Sequence, residues 1–178
     1  IHVDIFIVEP TAERNYYTLV TSGMGAHRMN VPKELAEYKL ERAEIVVYLP
    51  ADWNISDHEE KNYWPLRWLK ILARLPLEED SWLGWGHSVP NGKPFAENTQ
   101  LSSVLLINPE NVEEGAAVCQ LPNGEEVNFY QMIPLYEEEV NFKIQNGAET
   151  LLGKMGEISA VVDIHRLNVC EGFGDRKS

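Results

Sequence analysis

Residues able to move protons or hold metals are present in this chain, but their spacing repeatedly misses the pattern a reaction needs. Gly86-His87-Ser88-Val89-Pro90 carries the serine of a nucleophile elbow, yet Pro90 stands where a glycine must permit the sharp strand-to-helix turn. Ser88 therefore reads as a loop serine. His58-Glu59-Glu60-Lys61-Asn62 puts an asparagine where a zinc-hydrolase helix needs its second histidine. Gly23-Met24-Gly25-Ala26-His27-Arg28 opens like a dinucleotide-binding turn, but Arg28 replaces the third glycine that lets helix and strand approach. Gly84-Trp85-Gly86-His87-Ser88-Val89 fails in the same way at Val89. Cys119 and Cys170 are too few for a disulfide scaffold and too far apart for a zinc knuckle, which favours a reducing compartment.

Five histidines, His2, His27, His58, His87 and His165, are dispersed, and His87 is the one in suggestive company. It sits among Trp82, Trp85 and glycines, with Asn98 nearby, so a general base is conceivable. A hydrolase built on it requires a deep pocket with an acid and a nucleophile or metal within hydrogen-bond reach. An imidazole hydrogen-bonded in a packed loop needs none of these and is the simpler reading. Glu137, Glu138 and Glu139 could supply an acid–base pair, but a helix N-terminus that favours negative charge explains them more cheaply. Trp64 and Trp68 stand at helical spacing and belong to a core. Trp85, flanked by glycines, is open to a second role as an interface anchor.

The elements that must position these residues follow from periodicity. Residues 1–8 alternate as a strand ending at Glu9-Pro10, 16–21 form a β-branched and aromatic strand, and 43–49 form an apolar strand stopped by Pro50. Residues 64–75 form the clearest helix, with Pro65 in its first turn and Pro76 after its end; an earlier turn from Ser56 would kink at Pro65. Residues 82–98 read as a glycine-rich, aromatic loop. A strand follows at 101–107, then a hairpin of 116–121 and 126–132 across Pro122-Asn123-Gly124-Glu125. Pro134 opens a helix that Gly147 closes, residues 148–155 add a short amphipathic helix, and 161–164 is a last strand before a polar tail over 172–178. The fold class is α+β: one domain over 1–178, with a mixed, largely antiparallel sheet of about five to seven strands and helices packed against it.

Composition excludes several classes of function. The 178 residues carry 15 Lys and Arg against 28 Asp and Glu, a net charge of −13. Such a chain is poorly suited to nucleic acid, whose phosphates need cations, and suited to basic partners. The acids fall in short clusters spread along the chain, so solubility and partner steering are both served. No apolar run approaches the roughly 20 residues of a membrane span. The chain opens on Ile1 rather than Met, which leaves open a segment upstream.

Several stretches in order resemble the suppressor-of-fused family, in its single-domain bacterial form. They are Tyr17-Thr18-Leu19-Val20-Thr21-Ser22-Gly23-Met24, Met29-Asn30-Val31-Pro32, Tyr63-Trp64-Pro65-Leu66-Arg67-Trp68-Leu69-Lys70 and Trp82-Leu83-Gly84-Trp85-Gly86-His87. Pro94-Phe95-Ala96-Glu97-Asn98-Thr99, the run from Asn128 through Gln131, Pro134 and Tyr136 to Glu139, and Asp163-Ile164-His165-Arg166 continue the series. Residues 25–28 and 109–115 differ most from the family pattern. The resemblance implies binding rather than turnover: animal members are inhibitors that sequester a transcription factor, gripping its peptide between two domains, and this chain corresponds to the N-terminal one.

Bacterial relatives are associated with toxin systems, where they are proposed as immunity proteins. The resemblance thus implies a cytoplasmic immunity or antitoxin-type protein, not an enzyme, that occludes a basic toxin such as a nuclease without cofactor or metal. Its alternatives are a general regulatory scaffold and the His87 hydrolase. Tyr16, Ser22, Met24, Trp85, His87 and Asn98 are the expected surface contributors, with Glu137, Glu138 and Glu139 supplying charge. Asp163 and Arg166 are expected either at the binding surface or as an ion pair with each other. The partner's identity and the oligomeric state are not fixed by these residues.

Overall fold

A run of five apolar residues, Ile45 to Leu49, in an acidic chain has to be covered on both sides. In the computed structural model, which describes residues 1–156 and 160–174, that run becomes the central strand β3 (Arg42–Pro50), whose seven residues from Ala43 to Leu49 are all buried. Around it lie β1 (Asp4–Val8), β2 (Tyr16–Ser22), β4 (Ser88–Pro90), β5 (Ser103–Ile107), β6 (Val118–Gln120) and β7 (Glu126–Leu135) in one sheet. The order is β1-β2-β3-β7-β5-β4, antiparallel throughout except for the parallel pair β3–β7, and β6 pairs antiparallel with the start of β7. The α+β class and the largely antiparallel sheet are as the sequence indicates.

Gln131 marks where β7 changes neighbours. It pairs with Val46 of β3 on one side and Ile107 of β5 on the other, and beyond it β7 continues with β5 alone. The position that β7 vacates beside β3 is taken by Val161, bridged in parallel to Tyr48. The fully buried Gln131 amide holds this junction: Nε2 donates to the Ala160 carbonyl at 3.0 Å and Oε1 accepts from the Glu110 N–H at 2.9 Å. Residues 161–164, expected as a strand, therefore contribute a single bridge, because only the short length of β3 left uncovered by β7 is open to pairing.

The helices cover opposite faces. On one face, α1 (Glu60–Glu78) lays Trp64, Trp68, Leu69 and Leu72 over Leu19 of β2 and Ala43, Ile45, Val47 and Leu49 of β3. Trp64 stacks on Phe95 with ring centres 4.6 Å apart, so the aromatic loop closes the end of this core. On the other face, α2 (Glu137–Asn146) and α3 (Ala148–Met155) pack Val140, Leu151 and Met155 on Leu105, Ile107 and Leu135. Each fully buried leucine contributes about 1.5–3 kcal/mol, enough that packing overrides local preferences. None of these helices is long and apolar enough to cross a membrane.

That override appears at the prolines. Helix α1 runs from Glu60 through both Pro65 and Pro76 rather than between them, and both rings are buried. Each removes one intrahelical donor, a loss of roughly 3 kcal/mol in an exposed helix, but the tryptophan-rich face holds the helix against β3. Likewise Pro134 opens no helix. It lies in β7, opposite Val104, and α2 starts after Tyr136. At the C-terminus, Phe173 packs edge-on against Phe142 at 5.2 Å; residues 175–178 of the expected polar tail lie outside the described residues.

The turn resembling a dinucleotide-binding loop encloses a carboxylate of the chain itself. Glu44 of β3 is buried, and its oxygens accept from the Thr21 hydroxyl (2.9 Å) and from the N–H groups of Gly23, Met24 and Gly25 (3.0–3.1 Å). Amide groups that could cradle a phosphate are thus already occupied. Gly23 is obligatory here: at φ +122° its added Cβ would lie 2.2 Å from the His2 carbonyl oxygen.

Candidate functional site

The first turn of α2 is assembled around Glu139. The Tyr136 N–H donates to its Oε1 at 2.8 Å, closing the start of the helix, and the carboxylate is wholly removed from solvent. Arg166 meets both oxygens, Nη1 to Oε2 at 2.7 Å and Nη2 to Oε1 at 2.5 Å, and also donates to the carbonyls of Pro134 and Leu167 at 2.9 Å. Its guanidinium lies 5.0 Å from the Tyr136 ring centre, and the Tyr136 hydroxyl returns a bond to the Arg166 carbonyl. The Val169 N–H completes the Glu139 shell at 3.1 Å. Two buried opposite charges with every oxygen bonded form a rigid rivet.

This rivet fixes the C-terminal segment across α2 and creates a groove. Asn168 adds a bond to Glu138 Oε2 at 2.7 Å. Between this segment, α2 and the ends of β4 and β5 lies an open groove of about 830 Å³, lined by Glu137, Glu138, Val140 and Ile144 of α2, by Leu167 and Glu171 of the C-terminal segment, and by Pro90, Lys93 and Ser103. Ile144 is 70% exposed and Leu167 87%, the two most exposed large apolar side chains described. Glu137, Glu138 and Glu171 line the same groove, as do Lys93 and Arg166. Such a surface offers desolvation energy and negative charge together, the combination that suits a protein partner.

The residues singled out in the sequence divide among separate regions. Glu137 (exposed), Glu138 (half-buried) and Arg166 reach the groove. Glu139 does not, because Arg166 consumes its charge. Arg166 in turn does not pair with Asp163, whose Oδ1 accepts the His165 N–H instead. Asp163 is exposed behind the groove, in a smaller cleft with Val161 and Arg166.

Met24, expected at the surface, is buried, drawn inward when its N–H closes on Glu44. Tyr16, edge-on to Tyr48 at 5.2 Å, and exposed Ser22 lie on β2, four strand positions from β4, hence roughly 19 Å across the sheet. Asn98 is half-buried, and its Oδ1 is enclosed without a hydrogen-bond partner.

A model of the family described as suppressor of fused protein (SUFU) matches residues 1–167. The chain belongs to the suppressor of fused family. A SUFU homolog from Neisseria gonorrhoeae, solved by crystallography, superposes with a TM-score of 0.67 at 20% identity, over 94% of this chain and 78% of that one. The structure of a Sufu–Fu complex gives 0.65 at 15% identity, covering 97% and 79%. Drosophila Suppressor of Fused gives 0.65 at 15% identity, with 97% of this chain but 44% of that one. In sequence, the uncharacterized protein UU111 of Ureaplasma parvum is 28% identical over 93% of this chain and 78% of its own length.

Within this SUFU chain, His87 and Trp85 sit beside one another but face different surroundings. The His87 ring packs on Trp82 at 4.4 Å, and its Nδ1 accepts the Gly84 N–H at 3.2 Å. Burial, and then the charge of Lys143, hold its pKa below the ordinary histidine value. Lys143, itself lowered by burial, donates to Ser88 Oγ at 3.1 Å. The hydrogen bonds described for the His87 ring are to the backbone of Gly84 and Trp82, not to a carboxylate or hydroxyl. Among the described residues no three His, Cys, Asp or Glu side chains converge to hold a metal. Trp85 is 41% exposed and lines a separate cleft.

Sequence reasoning missed Ile144, Leu167 and Glu171 in the groove. The signal for Ile144 was its spacing of four from Val140, which places both on one helical stripe. Leu167 and Glu171 lie in an irregular segment and left no periodic trace.

Proposed function

We propose that this SUFU-family chain is a non-catalytic binding module that captures a basic protein in the groove beside α2, acting in the cytoplasm as the immunity partner of a toxin. The observation that carries the reading is the joint exposure of Ile144 and Leu167 among Glu137, Glu138 and Glu171 in one preformed groove. Covering two such side chains is worth about 1.5–3 kcal/mol each, while the acids and the net charge of −13 accelerate encounter with a basic surface. Capture comes first by field and then by apolar contact. Occlusion of the partner's functional surface follows without any bond being made or broken. A nuclease toxin, whose own surface must attract phosphates, has the charge this field suits.

A relative solved as a Sufu–Fu complex supports the protein-binding class and favours a second reading, a regulator of a partner that is not a toxin. Co-expression with the product of the adjacent open reading frame separates the two. Rescue of growth from that product's toxicity supports immunity; an adjacent product that is harmless, yet binds, supports regulation.

A further inference from the structure

The cleft beside Trp85 lies apart from the groove and has its own chemistry. It measures about 350 Å³, and its walls include Ile107, Ile133, Leu152 and Met155. Trp85 stands at its rim, 41% exposed, between Gly84 and a Gly86 held at φ +83°. Glu110 also lines it, with a backbone fixed from both sides: its N–H donates to Gln131 Oε1 at 2.9 Å and its carbonyl accepts the Tyr48 hydroxyl at 2.8 Å. Apolar walls, an exposed indole and an exposed carboxylate on a pinned backbone are therefore brought to one opening.

We propose that this cleft receives an arginine side chain presented by the protein partner. The methylene stem lies against the apolar walls, and the planar guanidinium meets the Trp85 indole and the Glu110 carboxylate. Charge selects a cation: among the described residues that line the cleft, Glu110 is the only charged one. Arginine fits better than lysine because its head is flat, stacks on an indole and is more weakly hydrated. The inference rests on the reading of the chain as a binder of a basic protein and adds a second contact point to it.

The test uses N-acetyl-arginine-methylamide as probe, with its norleucine analogue and guanidinium chloride as controls at the same millimolar concentrations. The Trp85 indole N–H resonance, assigned with Trp85→Phe, reports occupancy. A saturable shift with the arginine probe alone, weakened roughly three- to five-fold by Glu110→Gln, is expected. A flat titration, an equal response to norleucine or to guanidinium, or a response untouched by Glu110→Gln overturns the proposal. The wild-type comparison of arginine with norleucine decides even if the variant folds poorly. A flat titration beside a toxin complex that still forms defeats this inference alone. An arginine response in a chain that captures no adjacent product defeats the toxin reading and leaves the cleft.

Discussion

Arg166 grips Glu139, 27 residues before it in the chain, with two parallel hydrogen bonds of 2.7 and 2.5 Å, and Glu139 has no exposure to solvent. Arg166→Met strands that carboxylate in the interior. Urea denaturation is expected to show a loss of about 3–5 kcal/mol, and amide exchange a loss of protection at Val169. Arg166→Met combined with Glu139→Leu should recover much of the stability, because no buried charge is then left unpaired. A cost below about 1 kcal/mol for the single change would mean that the rivet does not hold the groove wall.

Glu44 receives four donors in the turn after β2. Glu44→Gln keeps the size but loses the charge and presents an amide group to donors. A destabilisation of about 2–3 kcal/mol is expected, read as a lower urea midpoint at unchanged slope. A neutral outcome would show that the turn is held by its glycines rather than by the carboxylate.

Much of the fold was legible from residue patterns, and the failures share one cause. The strands at 16–21 and 43–49 and the Asn-Gly hairpin follow from alternation, apolar content and turn chemistry; the structure places the first two within one residue and the hairpin's first strand within two, while its second strand runs three residues further, to Leu135. Pro65, Pro76 and Pro134 misled because their local preferences yield to packing against β3 and β5, which no local window contains. The site was legible only in part. Glu137, Glu138 and Arg166 were marked by charge, but the pairing of Arg166 with Glu139 rather than Asp163 joins positions 27 apart, and the exposure of Leu167 depends on that pairing.

Glu125 carries the clearest acid dependence. Hydrogen bonds from Arg28 and then Arg42 hold its pKa at about 2, below the ordinary 4.5. A depressed folded-state pKa contributes stability that is present above about 4.5 and lost as pH falls from there through about 2. Glu125→Gln should therefore be less stable than the wild type at neutral pH, with the difference shrinking across that interval in pH-dependent denaturation. A constant difference from neutral pH down to about 2 contradicts the assignment.

The acids of the groove should act chiefly on the rate of encounter. Glu137→Lys with Glu138→Lys is expected to slow association with a basic partner about ten-fold at low ionic strength and by much less at 0.5 M salt, roughly, since screening then acts within a few ångströms. Stopped-flow mixing across a salt series measures this. A slowing that does not depend on salt would point to lost contacts instead of a lost field.

The most direct test is calorimetric titration of the protein encoded beside this gene into the wild type and into Ile144→Asp/Leu167→Asp. The account predicts saturable binding to the wild type and a loss of at least about a hundred-fold in the double variant, which removes two apolar contacts from the groove. Equal affinity for both proteins would contradict it.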